Sequence, residues 1–537
     1  MSSRCLSCIL AGVEASLCEI EVIASPRGLP QTTIVGLPDA AVRESQERIR
    51  SAVVACGLDV PRHHVTINLA PADRRKEGVF YDLPIAMALL DAGGALVPQR
   101  SSAPSLVDWL LAGELALDGR LRSVRGGCPT AIMAAQQGLR GVILPPESAN
   151  EAALVPTVEV RTASHLSEVI AFFQGRGELG VVGPPAAEPG VGQRSSHADF
   201  ADIRGQEGAK RSLAIAAAGA HNVLLIGPPG CGKTMMARAL PGILPALTIP
   251  ESLDVMRIYS AAGLRVDRLG GRPLRPVRSP HHGASAAALI GGGRIVRPGE
   301  ATLAHHGVLF LDDLPEFPRN VLESLREVLE SGEVEIARVS GSVRMPARFQ
   351  LVAAMNPSRR GHRRPGVADA DTATYMARVS APLLDRIDLH VEVPRVPGRE
   401  LARRTRRGAS SAELADLVAR ARAAQENRQG RGLLNAHLAP GQLDSICTMG
   451  DEAGAFLADA LASLGLSARG YDKARRIARS IADLDGAADI ALEHVAEAVQ
   501  YRLLDRTDGL PPEEPVSRAP LAQSRGASSS HSMSGGR

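Results

Sequence analysis

A chain of 537 residues is too long for a single ordinary hydrophobic core, so its length predicts about three domains. Hydrophobic residues make up 45% and charged residues 22%, a balance that excludes a largely disordered chain and indicates a soluble globular protein. The formal net charge of +3 neither requires nor excludes a nucleic-acid partner. Lysine occurs only at positions 76, 210, 233 and 473. The abundance of arginine therefore reflects a general preference for arginine over lysine in this sequence and is not by itself a sign of DNA binding.

The cysteines and the first residues indicate the compartment. Seven cysteines stand at irregular spacings, which argues against a disulfide framework and for a reducing environment. Cys5 and Cys8 form an isolated C-x-x-C, a weak indication of a zinc or redox role. No apolar run approaches the roughly 20 residues of a membrane span, and the N-terminus lacks the features of a signal peptide. We therefore expect a cytoplasmic protein.

The first 175 residues alternate between strand-like and helix-like segments. Strands are predicted over 18–23, 32–35, 65–69, 112–119 and 141–145, and helices over 40–56, 83–90 and 130–137. These segments predict an α+β or α/β domain with its own core. From residue 176 to 198, Gly, Pro, Ala, Glu and Ser predominate, which is typical of an interdomain linker.

The strongest signal lies at residues 223–234, where four apolar, β-prone residues precede the pattern G-x-x-x-x-G-K-T and a helix-forming segment follows. Strand, loop and helix in this order are typical of a nucleotide phosphate-binding loop. Lys233 is expected to contact the β- and γ-phosphates, and the Thr234 hydroxyl is expected to bind Mg²⁺. The binding residues are Gly227, Pro228, Pro229, Gly230, Cys231, Gly232, Lys233 and Thr234.

Two further apolar runs end in polar side chains. Residues 307–311 end in Asp312 and Asp313, the Walker B pattern, which predicts Mg²⁺ binding at Asp312 and polarisation of the attacking water by Asp313. Residues 349–354 lead to Asn356, a candidate for contacting the γ-phosphate or its water. The alternative for Asn356 is a turn residue before a proline.

Several segments of the sequence resemble one known family. Residues 34–45 and 68–78 resemble the N-terminal domain of the YifB/ComM family of magnesium-chelatase-like AAA+ ATPases, and residues 466–484 resemble its lid. The resemblance implies an α/β fold with an AAA+ P-loop core on a parallel sheet, an N-terminal α+β domain similar to Lon protease and to domain 2 of ribosomal protein S5, and a C-terminal helical lid. The expected segments are an N-terminal domain at 1–175, a linker at 176–198, the ATPase domain at 199–395, the lid at 396–506 and a disordered tail at 507–537.

The same resemblance implies roles for single residues. Asn356 matches sensor 1, Arg386 resembles the arginine finger that completes a neighbouring subunit's site, and Arg469 matches sensor 2 of the lid. The alternative for Arg386 is a surface salt bridge with Asp385 or Asp388. The expected catalytic residues are Lys233, Asp312, Asp313, Asn356, Arg386 and Arg469, with ATP and Mg²⁺ as cofactors.

Position 313 departs from the family pattern, because relatives usually carry Glu there. Aspartate is shorter by one carbon–carbon bond, about 1.5 Å. A misplacement near 1 Å can cost about 100-fold in rate. We therefore predict ATP hydrolysis that is real but slow.

Two insertions are typical of the magnesium-chelatase group. The segment 278–306 carries four histidines, and we favour a loop or channel role because no carboxylate or cysteine accompanies them at ligand spacing: His281, His282, His305 and His306. Residues 333–345 predict a hairpin that in this group points into the central channel, so Arg338 and Arg344 are candidate contacts to DNA phosphates.

The segment after Asn356 differs from that of many relatives. They carry a cysteine-rich, zinc-like segment there, whereas residues 358–364 contain no cysteine, so zinc is not expected. The basic residues of this segment either contact DNA or form an ordinary solvated loop.

The family implies a ring-shaped assembly, expected to be a hexamer, that acts as a DNA helicase or translocase. Its expected substrate is branched or single-stranded DNA during branch migration in recombination or natural transformation. An aromatic content of 3% argues against a grip based on base stacking and favours backbone contacts. The alternative is a chelatase-type motor that remodels a protein partner. A peptidase is disfavoured because Lys76 has no serine nucleophile at the expected distance in sequence.

Overall fold

The protein is described from a computed structural model that covers residues 2–25, 31–60, 64–184, 198–266, 268–269, 272–293, 296–338, 341–358, 375, 377–398, 408–464 and 467–502. The predicted C-terminal tail and most of the predicted linker lie outside these residues. Among the described helices, none combines the length and the apolar character needed to cross a lipid bilayer.

A mixed eight-stranded sheet organises the N-terminal part of the chain. The strands of this part are β1 (Ser2–Ala11), β2 (Glu14–Ser25), β3 (Gln31–Val35), β4 (His64–Ala70), β5 (Trp109–Leu111), β6 (Glu114–Leu115), β7 (Leu121–Arg122), β8 (Gly141–Leu144), β9 (Glu159–Thr162) and β10 (Gly180–Val181). The sheet order is β10-β9-β8-β5-β1-β2-β4-β3, and β6 and β7 pair separately. The predicted strands that correspond to β2, β3, β4 and β8 are confirmed.

Strand β1 was not predicted, although it pairs with β2 over its whole length, from Ser2 opposite Ile23 to Ala11 opposite Glu14. Its central residues are buried without interruption. The alternation that marks a half-exposed strand is therefore absent. Two smaller differences concern the strand predicted at 112–119, which is reduced to β6, and the predicted linker, which contains β10.

Helices pack against this sheet and share its core. They are α1 (Ala40–Ala55), α2 (Asp82–Ala92), α3 (Gly127–Gln136), α4 (Pro146–Ala152) and α5 (Leu166–Phe173). Helix α1 shows the local logic: the Asp39 carboxylate accepts a hydrogen bond of 2.8 Å from the Val42 N–H and caps the first turn. Its buried residues Val42, Ile49 and Val53 then recur at helical spacing.

A second sheet organises the rest of the chain. Its region contains β11 (Val223–Ile226), β12 (Arg268–Leu269), β13 (Arg272–Pro273), β14 (Val277–Arg278), β15 (Gly291–Gly292), β16 (Arg297–Pro298), β17 (Val308–Leu311), β18 (Glu333–Arg338), β19 (Gly341–Pro346), β20 (Gln350–Met355) and β21 (Leu389–Glu392). Five of these strands form a sheet in the order β14-β17-β20-β11-β21, and every pairing within it is parallel. The carboxyl ends of β11, β17 and β20 therefore meet at one edge.

Helices pack on both faces of this parallel sheet. The helices of the region are α6 (Glu207–Gly219), α7 (Lys233–Ala239), α8 (Ile249–Ala262), α9 (Ala286–Ile290), α10 (Glu300–Leu303), α11 (Arg319–Ser331), α12 (Ala381–Leu384), α13 (Ser411–Gln429), α14 (Pro440–Ile446), α15 (Asp451–Leu464), α16 (Ala468–Asp485) and α17 (Leu492–Gln500). Alternate residues of β11 enter different cores: Val223 and Leu225 pack with α6 and the C-terminal helices, whereas Leu224 and Ile226 pack with α8 and α11.

The N-terminal part packs directly on helix α8 of the second region. Helix α3 has no side-chain cap of its own, because Gly126 stands at the N-cap. Instead the Ser260 hydroxyl of α8 accepts a hydrogen bond of 3.1 Å from the Cys128 N–H. In addition, Arg257 of α8 forms an ion pair of 2.7 Å with Glu14, the first residue of β2. The N-terminal part and the second region are therefore joined by a helix cap and an ion pair as well as by apolar contacts.

Candidate functional site

The predicted phosphate-binding loop joins β11 to α7. Gly227 has no room for a side chain, since a Cβ there would lie 2.2 Å from the carbonyl oxygen of Val393. Gly232 has a φ of +99°, in the left-handed region that glycine adopts at little cost. The side chain of Gln206 donates a hydrogen bond of 3.4 Å to the carbonyl oxygen of Cys231. Close packing and a local hydrogen bond therefore fix the path of the loop.

Lys233 joins this loop to the end of β20. Its ammonium donates to the carbonyl oxygens of Gly227 at 2.6 Å and Pro228 at 3.1 Å, and to Asn356 Oδ1 at 3.1 Å. An ammonium has three N–H donors, so these three acceptors fix its position. The only lysine of the loop is thus buried where the loop and the predicted sensor residue meet.

Thr234 and Asp312 form the next contact along this edge. The Thr234 hydroxyl donates a hydrogen bond of 2.9 Å to Asp312 Oδ2 at the end of β17. A hydroxyl and a carboxylate are the hard oxygen donors that Mg²⁺ prefers. The residues present therefore fit a Mg²⁺ ion bound between α7 and β17.

Asp313 has an unusual backbone conformation. Its φ of 52° lies in the left-handed region, which is uncommon for a residue other than glycine and clusters at functional sites. The turn is stabilised by a hydrogen bond of 3.1 Å from the Asp313 N–H to Asp312 Oδ1. The Asn356 amide lies 3.4 Å from Asp313 Oδ1 and links the second carboxylate to the end of β20. The carboxylates of Asp312 and Asp313 are therefore held by different partners, Thr234 and Asn356.

Tyr375 also lies at this site, and the sequence prediction missed it. Its hydroxyl forms a hydrogen bond with the backbone of Asn356. Burial, together with the nearby carboxylates of Asp313 and Glu316, raises the pKa of Tyr375 to about 12. No sequence signal marks this residue, because it belongs to no motif of fixed spacing.

Arg386 and Arg469 make no contact with the phosphate-binding loop among the described residues. The Arg386 guanidinium donates a hydrogen bond of 2.7 Å to the carbonyl oxygen of Pro382 and pairs with Glu330 of α11. Its partner is thus neither of the aspartates considered from the sequence. Arg469 is mostly exposed and lies 3.5 Å from Asp385. Their roles as finger and sensor stay predictions.

Asp313→Glu is expected to raise the steady-state ATPase rate at saturating ATP. The longer side chain brings the carboxylate closer to the attacking water, and a correction near 1 Å is worth up to about 100-fold. Asp313→Asn keeps the shape and removes the charge, so it serves as the matched control and is expected to lower the rate. An Asp313→Glu variant no faster than wild type would contradict the prediction.

Family models for magnesium chelatase match three regions of the chain. The model described as magnesium chelatase, subunit ChlI, matches residues 199–401. A model for subunit ChlI of Mg-chelatase matches residues 20–148, and a model for the ChlI C-terminal region matches residues 408–502. The matched segments contain the parallel sheet, the C-terminal helices, and strands β3, β4, β5 and β8 of the N-terminal sheet.

Full-length relatives are similar to nearly the whole chain. The uncharacterized protein YifB of Salmonella typhimurium is 44% identical over 499 residues, which cover 92% of this chain and 96% of that protein. The competence protein ComM of Haemophilus influenzae is 43% identical over 499 residues, with the same coverage. This chain belongs to the YifB/ComM family.

The wider family of YifB/ComM proteins is that of magnesium-chelatase-like AAA+ ATPases. The magnesium-chelatase 38 kDa subunit of Rhodobacter capsulatus is 29% identical over 343 residues, which cover 60% of this chain and 92% of that subunit. The predicted fold class, an α/β AAA+ core with a parallel sheet and a helical C-terminal region, is confirmed.

In this YifB/ComM-family chain the predicted hairpin is formed by β18 and β19. Arg344 stands opposite Glu335, with 3.5 Å between their charged groups, and 68% of its side chain is exposed. The middle of the hairpin contacts the N-terminal part, since a Cβ added at Gly12 would lie 2.7 Å from Val343 Cγ1 and 3.3 Å from Met345 Cγ. Arg344, which lies between these two residues in the sequence, is exposed to solvent.

The other predicted DNA contacts of this YifB/ComM-family chain lie outside the described residues. They are the side chain of Arg338 and the basic residues of the segment 359–364. Both stay predictions.

A histidine pair precedes β17 in this YifB/ComM-family chain. Ligand atoms of Asp254, His305 and His306 lie within 4.8 Å of one another, which corrects the expectation that no carboxylate accompanies the histidines. His305 Nδ1 accepts a hydrogen bond of 2.9 Å from the Arg348 N–H, and burial lowers the pKa of His305 to about 3. The Asp254 carboxylate pairs with Arg257 at 3.1 Å. These protein contacts give the cluster a structural role between α8 and β17.

Lys76, the lysine considered for a peptidase, is also structural in this YifB/ComM-family chain. It is fully buried, and its ammonium bonds the carbonyl oxygen of Pro71. Its backbone bonds Leu37 and Asp39, so the lysine closes the loop between β4 and α2 onto the segment before α1. No serine hydroxyl is among its hydrogen-bond partners in the described residues.

Proposed function

We propose that this chain binds ATP with Mg²⁺ and hydrolyses ATP where β11, β17 and β20 end. The observation that carries the proposal is the convergence of four side chains at that edge. Lys233 bonds Asn356, and Thr234 bonds Asp312, so residues from three separate strands form one continuous polar surface. A parallel sheet binds its ligands at this edge.

The side chains divide the chemistry among them. The loop amides and Lys233 bind the β- and γ-phosphates at the positive end of α7. Thr234 and Asp312 hold Mg²⁺, which when bound neutralises charge on the phosphate oxygens. Asp313 and Asn356 orient the attacking water, and the 3.4 Å contact between them keeps the two groups side by side.

We further propose that the active form is a ring, expected to be a hexamer, in which Arg386 reaches the neighbouring subunit's nucleotide. Two observations support this proposal. Arg386 makes no described contact with the phosphate-binding loop of its own chain. The chain also matches the magnesium-chelatase family model over this region, and the resemblance to that family implies an arginine finger at this position. Arg469 of the lid would complete the same subunit's site as Lys233.

The work that we propose for the ring is movement along branched or single-stranded DNA, as in branch migration during recombination or natural transformation. Its support is the exposed Arg344 on a hairpin that packs against the N-terminal part, together with a relative named as a competence protein. Arginine suits phosphate oxygens because its planar guanidinium donates two parallel hydrogen bonds.

Addition of a three- or four-way DNA junction is expected to raise the ATPase rate. Arg344→Ala is expected to weaken DNA binding and to reduce the slope of log affinity against log salt by about 1, because one phosphate contact is lost. Binding is measured at several salt concentrations together with the ATPase rate. Arg431→Ala is the control, since Arg431 is 93% exposed and pairs only locally with Glu426.

The alternative function is a chelatase-type motor that remodels a protein partner. It is favoured by the family matches to magnesium chelatase subunits. Such a motor would hydrolyse ATP at the same rate with and without DNA junctions. An ATPase that is indifferent to every DNA tested would therefore contradict the DNA proposal and leave the ATPase proposal intact.

A further inference from the structure

We propose that Lys473 is a positioning residue for Arg386. It holds the segment 385–388 on the lid helix α16, so that the finger is presented to the next subunit while the lid is docked. The inference rests on the proposed function, because it requires that Arg386 acts between subunits.

Lys473 contacts residues that lie on both sides of Arg386 in the sequence. Its ammonium lies 3.1 Å from Asp388 Oδ1 and 3.4 Å from the carbonyl oxygen of Ile387, and it also bonds the carbonyl oxygen of Asp385. The three N–H donors of the Lys473 ammonium are thus all bonded to residues immediately before and after Arg386. Lys473 makes no described contact with the Arg386 side chain, so its influence passes through the backbone.

The site suits a lysine better than an arginine. The acceptors converge on one point from different directions, and a compact ammonium with rotatable donors satisfies them, whereas a planar guanidinium would not. The charge is needed because the Asp388 side chain is only 13% exposed: desolvation raises the pKa of its carboxyl, but Lys473 and a hydrogen bond from His221 outweigh that effect and hold the pKa well below its usual range.

A second cation and a second turn of α16 strengthen the same contact. Arg502 donates to the carbonyl oxygens of Ile387 at 2.9 Å and Asp388 at 3.2 Å. Arg469, one helical turn before Lys473, lies 3.5 Å from Asp385. The helix that carries the predicted sensor 2 therefore also holds the predicted finger. If the lid moves when its own subunit binds or releases nucleotide, that movement would displace Arg386, which acts on the neighbouring subunit.

The test mixes two kinds of subunit. Lys233→Ala subunits have an impaired phosphate-binding loop and an intact finger, whereas Lys473→Met subunits have the reverse. We expect Lys473→Met rings to lose about 10- to 100-fold in kcat, the cost of a displacement near 1 Å, with KM for ATP nearly unchanged. Addition of Lys233→Ala subunits is expected to restore activity above that of either variant alone.

Two further variants distinguish the positioning role of Lys473 from a general loss of folding. Asp388→Asn removes the carboxylate partner and is expected to give the same defect with the same rescue. Arg475→Met is the matched control, because Arg475 is an equally buried cation on α16 that pairs with Asp444 of the lid instead. Binding of a fluorescent ATP analogue shows that the Lys473→Met, Asp388→Asn and Arg475→Met variants, whose phosphate-binding loops are intact, are folded.

The outcomes separate the two proposals. If Lys473→Met has wild-type activity, or if its defect is not rescued while that of Arg386→Ala is, the positioning role is wrong and the ring proposal stands. If Arg386→Ala itself is not rescued by Lys233→Ala subunits, the finger does not act between subunits and both proposals fall.

Discussion

Arg386→Ala is expected to lower the ATPase rate by about 10³- to 10⁵-fold, the range over which an arginine finger contributes to nucleotide hydrolysis. The loss should appear in kcat with nucleotide binding preserved, because the residue makes no described contact with the phosphate-binding loop of its own chain. Steady-state ATPase and equilibrium binding of an ATP analogue measure the two quantities separately.

The control for this variant is Arg326→Ala, which removes an exposed arginine from α11, the helix that carries the Arg386 partner Glu330. It is expected to leave the rate unchanged. A modest loss in Arg386→Ala, of the same size as in this control, would show that Arg386 serves only its ion pair with Glu330 and is not a finger.

Lys233→Ala is expected to reduce ATP hydrolysis by about 10²- to 10³-fold, the cost of removing one preorganised donor from developing charge. Unlike Arg386→Ala, it should also weaken ATP binding, because the ammonium contacts the phosphates in the ground state. The variant also leaves the Asn356 amide oxygen without its 3.1 Å partner. Rates and ATP affinity are both measured, with and without Mg²⁺.

The matched control is Arg238→Ala, which removes an exposed positive charge from the same helix α7. If both variants bind ATP as tightly as wild type does, Lys233 does not contact the nucleotide and the proposed site is wrong.

The elements of the candidate nucleotide site were predictable where the chemistry is local. A phosphate-binding loop needs glycines at fixed spacing, and strand β11 with Gly227 and Gly232 shows that spacing directly. The buried parallel strands were also predictable, because strands covered on both faces are continuous apolar runs.

Other features could not be predicted because they depend on residues that are distant in sequence. Asp254 comes to His305 and His306 only through the packing of α8 beside β17. Ser260 caps α3 across the contact with the N-terminal part, and Tyr375 returns to Asn356 from outside any motif. A single sequence gives spacing along the chain, whereas these contacts are set by spacing between elements.

The scarcity of lysine has a consequence for the outside of the molecule. The four lysines of the chain, Lys76, Lys210, Lys233 and Lys473, all have their side chains largely enclosed, and each holds an oxygen acceptor. The positive charge that faces solvent is therefore carried by guanidinium groups, which do not deprotonate at any alkaline pH that proteins tolerate. Acylation of the lysine side chains would consequently require access to the interior, so their labelling reports opening of the fold rather than its surface.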